Sequence, residues 1–123
     1  MRHILFRAKT LKEGRWVNGD LVNNRLEGRS FIHEQTGEMT EIDLSTVGQA
    51  TGIRDTNGTE IYEGDILHFE GRRDDNRGKH YRRPVVWSDG GFKMQLEDGT
   101  TGAPLRDMTC HLWNICGTVH DNQ

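Results

Sequence analysis

The stretch from Asp55 to Leu67 constrains the chain more tightly than any other segment, because two glycine turns bracket a short apolar pair and then launch a strand. Asn57-Gly58 is a strong turn signal, since both residues tolerate positive φ, and Glu63-Gly64 supplies a second turn directly before Asp65-Ile66. Ile61 and Tyr62 lie between the two turns and call for burial. The spacing predicts a short segment pinned across the base of a small β-barrel, followed by a diverging strand from Ile66 to Phe69. Gly58 and Gly64 are expected at positive φ, where a side chain would be strained.

The remaining sequence repeats this rhythm of short alternating runs and polar turns. His3 to Ala8 alternates with Ile4, Phe6 and Ala8 on one face, Glu13-Gly14 reads as a turn, and Trp16 to Val22 returns as a second strand. Phe31-Ile32-His33 and Met39 to Leu44 flank Gln35-Thr36-Gly37-Glu38, which predicts another hairpin, and Asp43 to Val47 carries the capping residues of a single helical turn. Further on, Pro84 is expected to open a strand through Val85-Val86-Trp87, and Ser88-Asp89-Gly90-Gly91 to form a hairpin turn. Phe92, Met94 and Leu96 should then point inward, and Leu112 to His120 should supply the last strand, with Ile115, Gly117 and Val119 on one face. The pattern contains no internal repeat and no long helical periodicity. It describes a mainly β protein: a small barrel over residues 51–123, as one compact unit with an antiparallel β extension over residues 1–50.

Composition limits the possible functions. Only 33% of the 123 residues are hydrophobic, yet the 15 glycines punctuate β-branched and aromatic runs and form no low-complexity tract, so the core is modest but present. The formal net charge of −3 provides no global positive field for phosphate backbones, so a nucleic-acid role would need a local patch. The N-terminus lacks the apolar run of ~7–15 residues that an export signal needs, and nothing approaches the ~20 apolar residues of a membrane span. A soluble, intracellular protein is expected, making no membrane contact and carrying reduced thiols at Cys110 and Cys116.

Residues Thr46-Val47-Gly48-Gln49-Ala50-Thr51-Gly52-Ile53-Arg54-Asp55-Thr56-Asn57-Gly58-Thr59-Glu60-Ile61-Tyr62-Glu63-Gly64-Asp65-Ile66 resemble the central pattern of the YopX protein family, a group of small, mostly phage- and prophage-encoded proteins with no assigned biochemical activity. Phe6-Arg7-Ala8 with Trp16-Val17-Asn18-Gly19-Asp20-Leu21, and Ile115-Cys116-Gly117-Thr118-Val119-His120, are similar to its outer motifs. The chain departs from the family pattern at Ala50, in the loop from Arg72 to Arg83, and at Cys116. The resemblance implies an SH3-like barrel with an N-terminal β extension and a phage or prophage origin. It carries over no catalytic residues.

Three groups of residues invite a chemical reading. Asp55, Glu60, Glu63 and Asp65 place four carboxylates in a short span, but the spacing matches no complete calcium loop. Asp55, Asn57, Gly58, Tyr62, Glu63, Gly64 and Asp65 are therefore read as a structural turn motif, with the two aspartates accepting backbone N–H bonds. The histidines and cysteines show no zinc-ligand spacing, Cys116 is read as a small buried thiol, and neither a metal, a cofactor nor a catalytic residue is expected. The third group is the run from Arg72 to Arg83, read as one exposed loop that buries almost nothing. Arg72, Arg73, Arg77, Lys79, Arg82 and Arg83 supply its positive charge, Tyr81 could stack on a base, and Asp74 and Asp75 reduce the net charge. The expectation is a non-enzymatic module that binds a protein partner or copies of itself. The alternative is a nucleic-acid-binding module that uses the basic loop.

Overall fold

The computed structural model describes residues 4–96, 98–105 and 112–121, and among these described residues glycine turns and alternating runs produce eleven strands and no α-helix. The strands are β1 (Phe6–Lys9), β2 (Trp16–Asn24), β3 (Arg29–His33), β4 (Met39–Glu41), β5 (Gly48–Arg54), β6 (Glu60–Tyr62), β7 (Asp65–Glu70), β8 (His80–Ser88), β9 (Gly91–Gln95), β10 (Thr101–Pro104) and β11 (Asn114–Thr118), with a 3₁₀ turn at Leu44–Thr46. They fall into two antiparallel sheets. The chain divides into two compact units, Met1–Ala50 and Thr51–Gln123.

In the first unit the strand order is β4-β3-β2-β1, followed by the start of β5. Ala8 pairs with Val17, and these two residues with Ile32 and Ile42 form a small core backed by Phe6, Leu21 and Val47. Gly19 is required here: a Cβ at this position would run into the His33 carbonyl on the neighbouring strand. The 3₁₀ turn is capped by Asp43, whose carboxylate accepts the Ser45 N–H at 3.0 Å. Arg29 on β3 donates to Glu41 on β4 from Nε and Nη2, both at 3.1 Å, and this hydrogen bond holds the Glu41 carboxyl below its ordinary range. Ile4 lies outside β1 and is 50% exposed, so the first strand is shorter than the alternation suggested.

In the second unit five strands run in the order β10-β9-β8-β7-β11, and the later residues of β5 neighbour β6. Ile61, Leu67, Val85, Met94 and Leu105 make the core, with Ile53, Phe92, Trp113 and Ile115 packed against it. Asp89 (φ 50°) and Gly90 (φ 79°) both adopt positive φ, the geometry that suits a two-residue hairpin joining right-twisted strands. Among the described residues the five-strand order ends on β10 and β11, and the sheet does not close into a barrel.

Four local expectations are corrected. The loop after β7 ends at Lys79, because Tyr81, Arg82 and Arg83 pair with Phe69, His68 and Leu67 as part of β8. Pro84 sits inside that strand opposite Ile66, and pairing with β9 begins one residue later at Val85, so the proline falls where β8 has a partner on one side. Leu96 and Val119 are exposed instead of inward, each at 42%. Cys116 is exposed as well, because β11 shifts register between Ile115 and Gly117, and the extra residue of that bulge is left without a cross-strand partner. Cys110 lies outside the described residues.

Candidate interaction site

The two aspartates of the central stretch bind backbone amides. Asp55, only 6% exposed, accepts the N–H groups of Asn57 and Thr59 on Oδ1, each at 2.9 Å, and the N–H of Ile115 on Oδ2, also at 2.9 Å. It thereby closes its own turn and ties that turn to β11, sixty positions later. Asp65 is buried and accepts the Tyr62 N–H at 2.8 Å, which closes the second turn across Glu63-Gly64. Gly58 (φ 82°) and Gly64 (φ 93°) occupy the positive-φ slots. The Gly64 N–H donates to the Val85 carbonyl, and the Gly64 carbonyl accepts from Val119, so this glycine links three segments through its backbone. Four short bonds to amides leave these two carboxylates in structural positions, at the hinges of the second unit.

The basic segment separates into three parts. Residues 71–79 form a compact turn that closes on itself: the Gly71 N–H donates to the Lys79 carbonyl at 2.8 Å and the Gly78 N–H to the Gly71 carbonyl at 3.1 Å. Asn76 organises it, accepting the Arg73 N–H on Oδ1 at 3.0 Å, and a Cβ on Gly71 would collide with Asn76. Within this turn Arg73 pairs with Asp75 at 3.6 Å and Arg77 with Asp74 at 3.2 Å, both on the open surface. Arg72, Lys79 and Arg82 have no carboxylate partner among the described residues.

Alternation along β8 then sends Tyr81 and Arg83 to one face and Arg82 to the other. Tyr81 stacks on Phe69, its cross-strand partner, at 6.1 Å between ring centroids, and Phe69 meets Trp113 at 5.3 Å. These rings, with Arg83, Met94, Leu96 and Asn76, line an open cleft of about 290 Å³. The Lys79 ammonium lies 5.1 Å and the Arg83 guanidinium 5.4 Å from the centre of the Tyr81 ring, so cations already occupy the ring that sequence reasoning offered for base stacking. On the opposite face, His68 and His80 approach at 2.8 Å between Nε2 and Nδ1, and Asn114 Oδ1 lies 3.2 Å from His68 Nδ1. This is a cross-strand hydrogen bond. Two imidazoles fall short of the three or four protein ligands of a zinc site, and no group of three or more His, Cys, Asp or Glu suited to a metal occurs among the described residues.

Sequence reasoning found Tyr81 and Arg83 but missed the cleft. Phe69 closes a predicted strand, Met94 reads as an inward residue, and Trp113 and Asn76 carry no signal of their own. Only the antiparallel register brings them together.

The fold defines a mainly β protein built from two antiparallel sheets. A family model described as YopX protein matches residues 5–123, and the chain belongs to that family. No curated protein matches the sequence. The crystal structure of protein EF1440 from Enterococcus faecalis is similar in fold, with a TM-score of 0.66 and 21% identity, covering 99% of this chain and 96% of that one. Among the described residues no helix is long and apolar enough to cross a membrane.

Proposed function

We propose that this chain is a non-enzymatic interaction module that engages a protein partner through the aromatic cleft of its second unit. The observation that carries this reading is the cleft itself: Phe69, Tyr81, Trp113 and Leu96 line open space together with the core residue Met94. Bulky apolar and aromatic groups around a concavity are the usual composition of an interface anchor site. The enzyme alternative loses its best acid–base candidates, since Asp55 and Asp65 are buried and bonded to backbone amides. The family resemblance supports a phage- or prophage-encoded accessory role in a bacterial cytoplasm, and an SH3-like arrangement of the second unit is part of the same proposal.

Leu96 offers a clean test, because it lines the cleft and is 42% exposed, so Leu96→Asp should change stability by no more than ~0.5 kcal/mol. Cross-linked capture from host cells should recover a protein with wild type that the variant loses at an unchanged melting temperature. Recovery of the same proteins by both forms would sink the reading. So would a bound fraction that disappears on nuclease treatment, or a wild type that only assembles with itself and does so equally well with Asp at this position.

A further inference from the structure

The turn that reaches the last strand also holds a reactive bond. We propose that Asn57-Gly58 is a latent deamidation site, restrained by the hydrogen bonds that Asp55 accepts, and that its conversion to isoaspartate releases the central turn from β11.

The chain contains two Asn-Gly bonds, Asn18-Gly19 and Asn57-Gly58. In such a pair the glycine backbone nitrogen, unhindered by a side chain, gives its proton to solvent base and attacks the asparagine Cγ. The new N–Cγ bond closes a succinimide as the Cγ–Nδ2 bond breaks and ammonia leaves. Water then opens the ring to aspartate or to isoaspartate, whose main chain is one carbon longer. Asn18 and Gly19 lie within β2, held between β1 and β3, and Gly19 is buried. Asn57 and Gly58 are both exposed at the tip of a turn, and the Asn57 side chain makes no hydrogen bond among the described residues. Exposure and an unengaged side-chain amide single out the second pair.

What opposes the reaction there is local. The Gly58 N–H, which must supply the attacking nitrogen, donates to the Asp55 carbonyl at 3.0 Å. The amides on either side, of Asn57 and Thr59, donate to Asp55 Oδ1, each at 2.9 Å, and Arg54 holds the Gly58 carbonyl at 2.8 Å. Attack requires the Gly58 N–H to leave its acceptor and the peptide between residues 57 and 58 to rotate, so the turn must first open. The consequence follows from the other oxygen of the same carboxylate, which accepts the Ile115 N–H at 2.9 Å. An extra main-chain carbon after position 57 lengthens the span that the Asp55 bonds close. The turn then loses the geometry that aims this carboxylate at both its own amides and β11.

The test ages the full chain in mildly alkaline buffer, once folded and once unfolded in urea, and follows each asparagine by peptide mapping and the Gly58 amide by hydrogen exchange. Folding should slow the conversion of Asn57 by about tenfold or more, the kinetic equivalent of a hydrogen bond that must open first, and should slow Gly58 exchange by a similar factor. In the folded chain Asn18 should never convert ahead of Asn57. The fraction carrying isoaspartate at position 57 alone should melt several degrees below wild type and exchange its Ile115 amide faster. Asn57→Asp, which adds the charge without the longer backbone, should melt close to wild type. Equal conversion rates in the folded and unfolded chain would overturn the restraint, as would a protected Asn57 beside an unprotected Gly58 amide. Earlier loss of Asn18 would overturn the choice of site, and an isoaspartate form as stable as Asn57→Asp would overturn the release from β11.

Discussion

The turn at Asp55 and the turn at Asn76 use the same device, a short side-chain oxygen that accepts backbone amides, yet they differ in what rests on them. Asp55 is buried, and one of its three bonds reaches Ile115 on the last strand. Asn76 sits in a surface turn, and its side-chain bond reaches only to Arg73, three residues away. Removing an acceptor from a buried amide costs the desolvation of that amide, ~1–3 kcal/mol, whereas water can replace an acceptor on the surface. Burial and sequence separation therefore decide which of two chemically alike turns holds the fold together and which only shapes the surface.

The largest effect should come from Asp55→Ala, which strands three amides at once. We expect a loss of roughly 3 kcal/mol or more in urea unfolding, enough to unfold a marginal domain. Asp55→Asn should recover part of it, because the amide retains one carbonyl oxygen but turns an N–H group towards another donor. An unchanged unfolding midpoint for the alanine variant would erase the distinction between the two turns.

Gly64→Val should come next. A Cβ at this position would meet His120 and Val119 no closer than 3.6 Å, so the space is adequate and the penalty arises from the backbone, at φ 93°. A β-branched residue there should destabilise by more than ~1 kcal/mol, and Gly64→Ala should show most of the same loss. If alanine were tolerated and valine were not, side-chain crowding would replace backbone strain as the cause.

Asn76→Ala should be the mildest of the three. Its global stability should fall by no more than ~1 kcal/mol, the net value of a typical hydrogen bond, while trypsin should cut after Arg72, Arg73 or Arg77 well before any site in the strands. A drop as large as that of Asp55→Ala would show that the surface turn also supports the core. Unchanged proteolysis would show that the backbone bonds from Gly71 to Lys79 and Gly78 are sufficient to hold the turn.

Much of the architecture was legible because it depends on local chemistry. Asn57-Gly58, Glu63-Gly64 and Asp89-Gly90 announce turns through glycines that accept positive φ, and the apolar residues of Trp16 to Val22 and the alternation in Phe92 to Met94 announce strands. The basic segment misled for a physical reason: Tyr81, Arg82 and Arg83 have too little apolar character to look like a strand, and they are held in one by ladder bonds to β7 that no local pattern records. Cys116 misled likewise. A bulge is a property of two strands in register, and a single strand's sequence carries no mark of it.

What the sequence by itself determined is the mainly β character, the positions of most turns and the family, since each follows from residue types within a few positions of one another. What only the tertiary structure decided is the strand order of the five-stranded sheet, the third bond of Asp55 and the cleft. Phe69, Tyr81, Met94 and Trp113 come from four separate stretches of chain, and whether such residues fill a core or line a concavity depends on register and sheet closure. Those are properties of paired strands, and they come into being only when distant segments meet.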